Sequence, residues 1–169
     1  MPETGFTISL ESPADLAALK QLSERAFGPG RFARTAYRVR EGAEPDAGLS
    51  FVAWRDGSAV GSIRFTPLRI GGKSGALLLG PLAVDPDFAG QGGGRQLIAR
   101  GLKAARESSY RLVILVGDFA YFARTGFICV PQGQISFPGP VDRARILAAE
   151  LDEGALAGFS GLVRADLSS

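Results

Sequence analysis

The sequence is 169 residues long, and its 19 Lys and Arg residues against 17 Asp and Glu residues give a formal net charge of +2. This near balance excludes the dense basic surface of a nucleic-acid-binding protein. A content of 46% hydrophobic and 21% charged residues is that of an ordinary globular protein. The length predicts one domain over residues 1–169, with a core of its own.

No segment is apolar for the length of a membrane span, and the first residues lack the basic flank and apolar core of a signal peptide. Cys129 is the sole cysteine and cannot form an intramolecular disulfide, which is typical of a reducing compartment. These features predict a cytoplasmic protein. The sequence contains no histidine, so Ser-His-Asp and Cys-His catalysis and most zinc sites are excluded, and we expect no metal.

The chain begins with a predicted strand, because apolar and polar residues alternate over Phe6–Leu10. Ser12 and Pro13 then predict the start of a helix that ends before Gly28. The basic segment Arg31–Arg40 predicts a second, short helix. Its arginines either bind an anionic ligand or form a solvated face, and the solvated face is favoured; they occupy positions 31, 34, 38 and 40.

Two β-rich runs, Leu49–Arg55 and Ser58–Phe65, flank Asp56-Gly57, which is a strong hairpin signal. Pro67 and the pair Gly71-Gly72 predict the next turn. Further along, Leu112–Val116 is apolar on both faces, as expected of a strand buried between two layers.

The last third of the sequence predicts short elements. Asp118 is the expected cap of a short helix that ends at Gly126, and Phe127–Val130 predicts a strand that residues 134–137 either extend or follow as a loop. Asp142–Leu151 predicts a helix, and Gly158–Arg164 predicts a final strand. The whole order is that of a mixed α/β protein, with a central sheet flanked by helices.

The stretch from Leu77 to Leu97 organises the rest of the chain. It begins as an apolar strand interrupted at Gly80-Pro81, which predicts a bulge or an unpaired edge. A glycine-rich loop follows and opens an amphipathic helix. The first N–H groups of a helix have no partner within it, so this junction favours an anion such as a pyrophosphate. A plain strand-to-helix connection is the alternative, and neither an NTPase loop nor a GxGxxG motif with a following ribose acid is present.

Val84 and Pro86 stand two residues apart in this stretch, and Ala89, Gly92 and Gly94 follow with the spacing x-x-x-Gly-x-Gly. This pattern resembles that of the GNAT superfamily of acyl-CoA-dependent N-acetyltransferases. Ala89 departs from it, because Gln or Arg is usual at that position. The segments LGPLAVDP and LVGDFAYFARTGF are similar to those of a branch of small bacterial members.

The resemblance implies the GNAT fold, in which two central parallel strands, here ending near Val84 and Val116, separate and admit the pantetheine arm of acetyl-CoA. It implies that backbone groups of Leu82, Ala83 and Val84 bind this arm. It also implies that a loop holds the pyrophosphate, with residues Gly90, Gln91, Gly92, Gly93, Gly94 and Arg95.

The activity implied by the resemblance is direct transfer of an acetyl group from acetyl-CoA to a primary amine of a small molecule or peptide. No metal, nucleic acid or membrane takes part, and a homodimer is compatible with this activity. Such a transfer needs a neutral amine, a donor to the oxyanion and a proton for the leaving thiolate.

The general base stays unassigned. A Glu on the central strand often serves in the family, but Leu77, Leu78 and Leu79 occupy that part of this chain. Water and Asp118 are the candidates, although Asp118 is more simply explained as a helix cap.

The general acid is equally open, because the usual tyrosine is replaced by Phe122 and the nearest tyrosine is Tyr121. Adjacent helical residues differ by about 100° in direction. Either a shifted helix brings Tyr121 to the thiolate, or the thiolate leaves without a tyrosine acid, or the chain is a non-catalytic acyl-CoA-binding or sensing module. Tyr121 as a merely packed aromatic is also compatible. Cys129 has no evident partner as a nucleophile and is expected to fill the core.

Overall fold

The computed structural model describes residues 6–27 and 43–167 of the chain. The predicted helix over Arg31–Arg40 lies outside these residues. The described part forms a mixed sheet with helices on its faces. In chain order its helices and strands are β1 (Thr7–Leu10), α1 (Leu16–Phe27), β2 (Phe51–Arg55), β3 (Ser58–Ile70), β4 (Lys73–Val84), α2 (Gly93–Arg106), β5 (Leu112–Val116), α3 (Phe119–Phe122), β6 (Ile128–Cys129), β7 (Ile135–Ser136), β8 (Ile146–Glu150) and β9 (Gly161–Ala165).

The strands follow the order β1-β2-β3-β4-β5-β8-β6 across the sheet, and β9 pairs with both β3 and β7. The contacts of β4 with β5 and of β7 with β9 are parallel, whereas the other pairs are antiparallel. The two long strands β3 and β4 therefore lie at the centre, and β4 marks the change from antiparallel to parallel pairing.

The hairpin between β2 and β3 confirms the Asp-Gly signal. Asp56 has a φ of 52° and Gly57 a φ of 80°, the left-handed conformations of a tight turn that matches the twist of the strands. The turn predicted at Pro67 is wrong, because β3 continues through Pro67 to Ile70 and turns at Gly71-Gly72. Pro67 is tolerated there because its carbonyl accepts the N–H of Asp166, so its backbone groups face away from β4 and no hydrogen bond between β3 and β4 requires the N–H that proline lacks.

Three apolar clusters hold the layers together. The face of the sheet under α2 is packed by four buried side chains of that helix, Leu97, Ile98, Leu102 and Ala105. The opposite face carries a second cluster built around Phe137, Leu156 and Phe159, and α1 covers a third through Leu19 and Leu22. The amphipathic helix predicted after the glycine-rich loop is confirmed.

The helix predicted over Asp142–Leu151 is wrong, because Ile146–Glu150 forms strand β8 between β5 and β6. Ile146 and Ala148 face one core, and Leu147 and Ala149 face the other. A strand buried on both faces is apolar at every position, so its sequence does not differ from that of a buried helix. The final strand is confirmed as β9, and residues 135–136 form β7, which pairs with β9 rather than extending β6.

Cys129 does not fill the core. It lies on β6 with its side chain exposed, as does Ile128, which is 49% exposed. Strand β6 pairs with β8 through two residues only among those described, so its outer side remains open. The apolar anchors of this region are instead Phe127 and Val130, on either side of the strand.

Candidate active site

The two central parallel strands separate towards their carboxyl ends. Strands β4 and β5 pair from Ala76 with Leu112 to Leu78 with Ile114, and both strands then continue without pairing to each other. The predicted gap between the strand ends near Val84 and Val116 is therefore present.

The cause of the separation lies in β4. Phe65 of β3 is opposite Leu79, whereas Ile63 is opposite Leu82, so Gly80 and Pro81 together face the single residue Arg64. This is the bulge that the Gly-Pro interruption predicts. A bulge bends the strand that carries the extra residue, which turns the end of β4 away from β5.

Backbone groups of β4 line the gap. The N–H of Asp85 donates to the carbonyl of Val60 at 2.8 Å, so Val84 and Gly61 form a pair without direct hydrogen bonds to each other. Pairing alternates along antiparallel strands, so the N–H and C=O groups of Leu82 and Val84 point away from β3 and into the gap. The N–H and C=O groups of Ala83 are directed to β3, so the prediction that they bind the pantetheine arm is not supported. An extended chain in the gap can thus pair with Leu82 and Val84.

The amino end of α2 lies just beyond this edge. Gly90 and Gly92 have φ angles of 80° and 90°, which residues other than glycine rarely adopt. The first hydrogen bond that closes a turn of the helix runs from the N–H of Gln96 to the carbonyl of Gly92, at 3.1 Å. The N–H groups of Gly93, Gly94 and Arg95 precede it and have no partner within the helix. Together with the helix dipole they form a site for an anion.

The loop that leads into α2 is fixed by a buried carboxylate. Asp85 is 7% exposed; its Oδ1 accepts the N–H of Asp87 at 2.9 Å and its Oδ2 accepts Nε–H of Arg25 at 3.0 Å. Arg25 belongs to α1, so this ion pair joins the first helix to the glycine-rich loop. Sequence reasoning missed both residues. The Asp-Pro pair did signal a local turn, but nothing in the sequence paired Asp85 with a residue sixty positions earlier.

An arginine holds the outer side of the same loop. The guanidinium of Arg55 lies 5.3 Å from the centre of the Phe6 ring and 5.8 Å from that of Phe88, and it donates to Oε1 of Gln91 at 3.2 Å. The predicted cofactor residue Gln91 therefore uses its side chain to anchor the loop to β2. The contact of a cation with two aromatic rings adds to this anchoring.

Tyr121 and Phe122 point in different directions from α3. A Cβ atom built on Gly94 would overlap the Tyr121 hydroxyl and would lie 3.3 Å from Cγ2 of Val84. The Tyr121 hydroxyl therefore lies at the opening of the gap, against the first turn of α2. The ring of Phe122 is partly buried and packs edge-on against the core residue Phe127, with 5.7 Å between ring centres.

The acidity of Tyr121 is altered by this position. Desolvation raises the pKa of its phenol above the ordinary value of 10.0, and the positive charge of Arg95 acts in the opposite direction. The hydroxyl is thus protonated at neutral pH and can donate a proton.

Other predicted groups take structural roles. Asp118 is the N-cap of α3 and accepts the N–H of Ala120 at 3.2 Å, as predicted. Leu77, Leu78 and Leu79 are buried aliphatic side chains of β4 and provide no base. The described part of the chain contains no cluster of His, Cys, Asp and Glu residues that could hold a metal ion. Within it, no helix is long and apolar enough to cross a membrane.

Comparison with known proteins identifies this arrangement. A sequence model of the acetyltransferase (GNAT) family matches residues 16–127. The chain belongs to the GNAT family. It is 32% identical over 158 residues to an Escherichia coli K12 protein described as the uncharacterized N-acetyltransferase YhbS, covering 92% of this chain and 93% of that protein.

Two solved GNAT structures support the assignment. The crystal structure of E. coli YhbS in complex with CoA matches with a TM-score of 0.82 and 30% identity, over 98% of this chain and 92% of that chain. A GNAT acetyltransferase from Brucella melitensis in complex with acetyl-CoA matches with a TM-score of 0.67 and 28% identity, over 97% and 95% of the two chains. The predicted family, fold class and N-acetyltransferase activity are confirmed.

Proposed function

We propose that this GNAT protein transfers the acetyl group of acetyl-CoA directly to a primary amine of a small molecule or peptide, with Tyr121 as the general acid. The observation that carries the proposal is the contact of the Tyr121 hydroxyl with Gly94, at the opening of the gap between β4 and β5. The Tyr121 hydroxyl, which can donate a proton, therefore lies next to the end of β4, which suits the pantetheine arm of CoA, and next to the start of α2, which suits its pyrophosphate.

Acetyl-CoA fits the two unpaired backbone surfaces. Its pantetheine arm is an extended chain with amide groups, and the groups of Leu82 and Val84 that face the gap can pair with it as an additional strand. Its pyrophosphate is the anion that suits the amino end of α2, where Gly90 to Arg95 form the turn. The CoA and acetyl-CoA complexes of the two solved relatives support this choice of cosubstrate.

The reaction needs no covalent intermediate on the protein. The amine nitrogen attacks the thioester carbonyl, a C–N bond forms, and the C–S bond breaks as the tetrahedral intermediate collapses. The thiolate takes the proton of the Tyr121 hydroxyl, the nitrogen loses its extra proton to water, and the phenolate regains a proton from water. The products are the N-acetyl amine and free CoA.

The position of Phe122 supports Tyr121 as the acid in this chain. Its ring is held between the core residue Phe127 and the strand end, since a Cβ on Gly117 would come within 2.7 Å of it. Residue 122 therefore faces the core and residue 121 faces the gap.

Three further expectations accompany the proposal. We expect the protein to act as a single domain, in the cytoplasm, where its cosubstrate is available. A homodimer stays a prediction. Arg31, Arg34, Arg38 and Arg40 lie outside the described residues, and their interpretation as a solvated face also stays a prediction.

The direct test combines binding with turnover. Calorimetry with CoA measures binding, and release of free thiol from acetyl-CoA in the presence of a panel of primary amines measures transfer. We expect both binding of CoA and release of free thiol with at least one amine. Binding of CoA without transfer to any amine would support the non-catalytic acyl-CoA-binding module, and absence of CoA binding would contradict the use of the gap described above.

A further inference from the structure

A second concave surface lies beside the gap, on the face of the sheet opposite α2. It is a pocket of about 300 Å³ between β7 and the segment that leads into β8. Ile135, Phe137, Val141 and Ile146 supply its apolar walls, and Ser136 and Arg143 supply its polar side chains. A volume of this size accommodates a small molecule rather than a folded partner.

The pocket adjoins the reacting end of the gap. Its wall residue Ile146 is paired with Val116, the last residue of β5, and the carbonyl of Arg145 accepts the N–H of Gly117 at 2.9 Å. Val116, at the end of β5, therefore lies next to a wall of the pocket, and its side chain packs against the same apolar cluster as Ile135 and Phe137. A molecule in the pocket can approach a thioester in the gap from the side that α2 does not cover.

The charge of the pocket has one sign. Arg143 is its charged side chain, it makes no ion pair with any residue that the structure describes, and no described carboxylate lines the pocket. The neighbouring residue Asp142 does not line the pocket, and its Oδ1 caps the turn at Arg143 by accepting the N–H of Ala144 at 3.0 Å. Arg143 is thus available to an anionic group of a ligand.

We propose that this pocket receives the acetyl acceptor, and that the acceptor is an aminocarboxylate whose carboxylate binds Arg143 while its carbon chain contacts the partly exposed side chain of Val141. The inference rests on the proposed N-acetyltransferase function. A guanidinium pairs with a carboxylate through two parallel hydrogen bonds, which orients the ligand as well as binding it. The amine is then directed towards the end of β5, where the gap opens.

The test compares matched acids and amides. Leucine, phenylalanine, β-alanine and γ-aminobutyrate are each assayed beside the corresponding carboxamide, which keeps the amine and removes the negative charge. We expect kcat/KM to favour the acid in at least one pair by about 10–100-fold, the range for a hydrogen bond to a charged group. Arg143→Ala should abolish the preference, and Arg143→Lys should restore part of it.

Arg145 provides the matched control. It is an exposed arginine two residues further on, it does not line the pocket, and Arg145→Ala removes the same charge. This variant should keep the preference for the acid. Equal loss in both variants, or equal use of acids and amides by the unaltered protein, would overturn the inference.

A binding measurement tests the pocket independently of acetyl transfer. Calorimetry of the CoA-loaded protein with the same acids and amides reports the pocket without turnover. Binding of acids that Arg143→Ala removes, in a protein that acetylates nothing, would support the pocket and contradict the transferase proposal. Transfer to amines with no contribution of Arg143 to either measurement would support the transferase and contradict the pocket.

Discussion

The hydroxyl of Tyr121 lies against Cα of Gly94, so the short helix α3 and the first turn of α2 meet at the opening of the gap between β4 and β5. Gly94 is the last residue of the glycine pattern, and Tyr121 follows the end of the neighbouring parallel strand. The contact places a proton donor beside the groups that suit a CoA molecule. It also explains why residue 94 has no side chain, since a methyl group there would occupy the position of the hydroxyl.

The first prediction concerns the acid itself. Tyr121→Phe should lower kcat by about 10²–10⁴-fold, the usual contribution of a general acid, while the KM for acetyl-CoA stays nearly constant. Steady-state kinetics with a saturating amine measures both quantities. A rise in KM with an unchanged kcat would show that the hydroxyl binds the cosubstrate and does not donate a proton.

The reverse substitution serves as its control. Phe122→Tyr adds a hydroxyl to a partly buried ring that packs edge-on against Phe127 and lies beside Gly117. We expect no gain in kcat, because the proposed acid is the neighbouring Tyr121 and the ring of residue 122 is packed against Phe127. A gain in rate would place the acid at residue 122, as in the usual family pattern.

The second prediction concerns the glycines at the start of α2. Gly94→Ala should weaken CoA binding about tenfold or more, because its Cβ would overlap the Tyr121 hydroxyl and crowd Val84. Gly93→Ala is the matched comparison, since its Cβ would lie in ordinary contact with the Phe6 ring, at 3.5 Å. Calorimetry should show the smaller loss for Gly93→Ala, and equal losses would contradict the assigned geometry.

The fold could be predicted wherever local signals were strong. Asp56-Gly57 predicted a hairpin because few residues adopt its left-handed conformations. Gly80-Pro81 predicted a bulge or an unpaired edge because proline lacks an N–H group, and the structure has the bulge. Strand β8 could not be predicted, because Ile146 to Ala149 are apolar on both sides and carry no period. Its conformation depends on pairing with β5, which is a contact between distant parts of the chain.

The candidate site could be predicted where the backbone forms it. The glycine-rich turn follows from residue types and their order along the chain, and the separated strands were implied by the resemblance to the GNAT superfamily. The direction of Tyr121 could not be predicted, because it depends on the rotation of a four-residue helix that Phe122 fixes against the core. The Arg25–Asp85 ion pair could not be predicted either, since its two residues are linked by the tertiary fold alone.

The third prediction tests that ion pair as support for the loop. Asp85→Ala leaves the N–H of Asp87 without its acceptor and releases Arg25 from the loop. We expect a loss of about 1–3 kcal/mol in the free energy of unfolding and weaker CoA binding, because the loop must then be ordered by the ligand. Urea unfolding and calorimetry measure the two effects.

Asp87→Ala is the control for Asp85→Ala. It removes an equal charge from an exposed neighbour and keeps the backbone N–H that Asp85 accepts. We expect stability within about 0.5 kcal/mol of the unaltered protein, as for most surface substitutions. If both variants lose the same stability, the carboxylate of Asp85 has no special role.

The fourth prediction concerns stability at alkaline pH. Burial and the hydrogen bond that the Tyr110 hydroxyl donates to Asp46, at 2.9 Å, raise the pKa of Tyr110 to about 12. Between its ordinary value of 10.0 and about 12 the unfolded chain has lost the phenolic proton and the folded protein keeps it, so stability falls as pH rises through this window. The contribution is complete below pH 10.0.

Tyr110→Phe should remove this part of the alkaline decline. Urea unfolding of both proteins across this pH range gives the difference in their free energies of unfolding. The titration of lysines is common to both proteins and cancels in that difference. We expect the variant to lose less stability with rising pH, and to be less stable by about 1 kcal/mol at neutral pH, where the hydrogen bond is lost. Parallel curves would show that Tyr110 titrates at its ordinary pKa.

The fifth prediction concerns the effect of the Arg95 charge on the pKa of Tyr121. The positive charge of Arg95 lowers the pKa of Tyr121 against the raising effect of desolvation, so Arg95→Gln should raise that pKa further. As pH rises through the pKa, the protonated acid is lost and kcat falls, which makes the alkaline limb of the profile a report on Tyr121. The alkaline limb should move to higher pH in Arg95→Gln. The assay uses saturating acetyl-CoA, because Arg95 is also expected to contribute to binding of the cosubstrate.

Lys103→Gln is the control for this shift, since it removes an equal charge from the last turn of the same helix, far from the gap. The alkaline limb of Lys103→Gln should coincide with that of the unaltered protein. The slower Tyr121→Phe variant should show no alkaline limb. Because the acceptor amine titrates identically in all these assays, it cannot produce a difference between variants. An alkaline limb that stays in place or moves to lower pH in Arg95→Gln would contradict the assignment of Tyr121 as the proton donor.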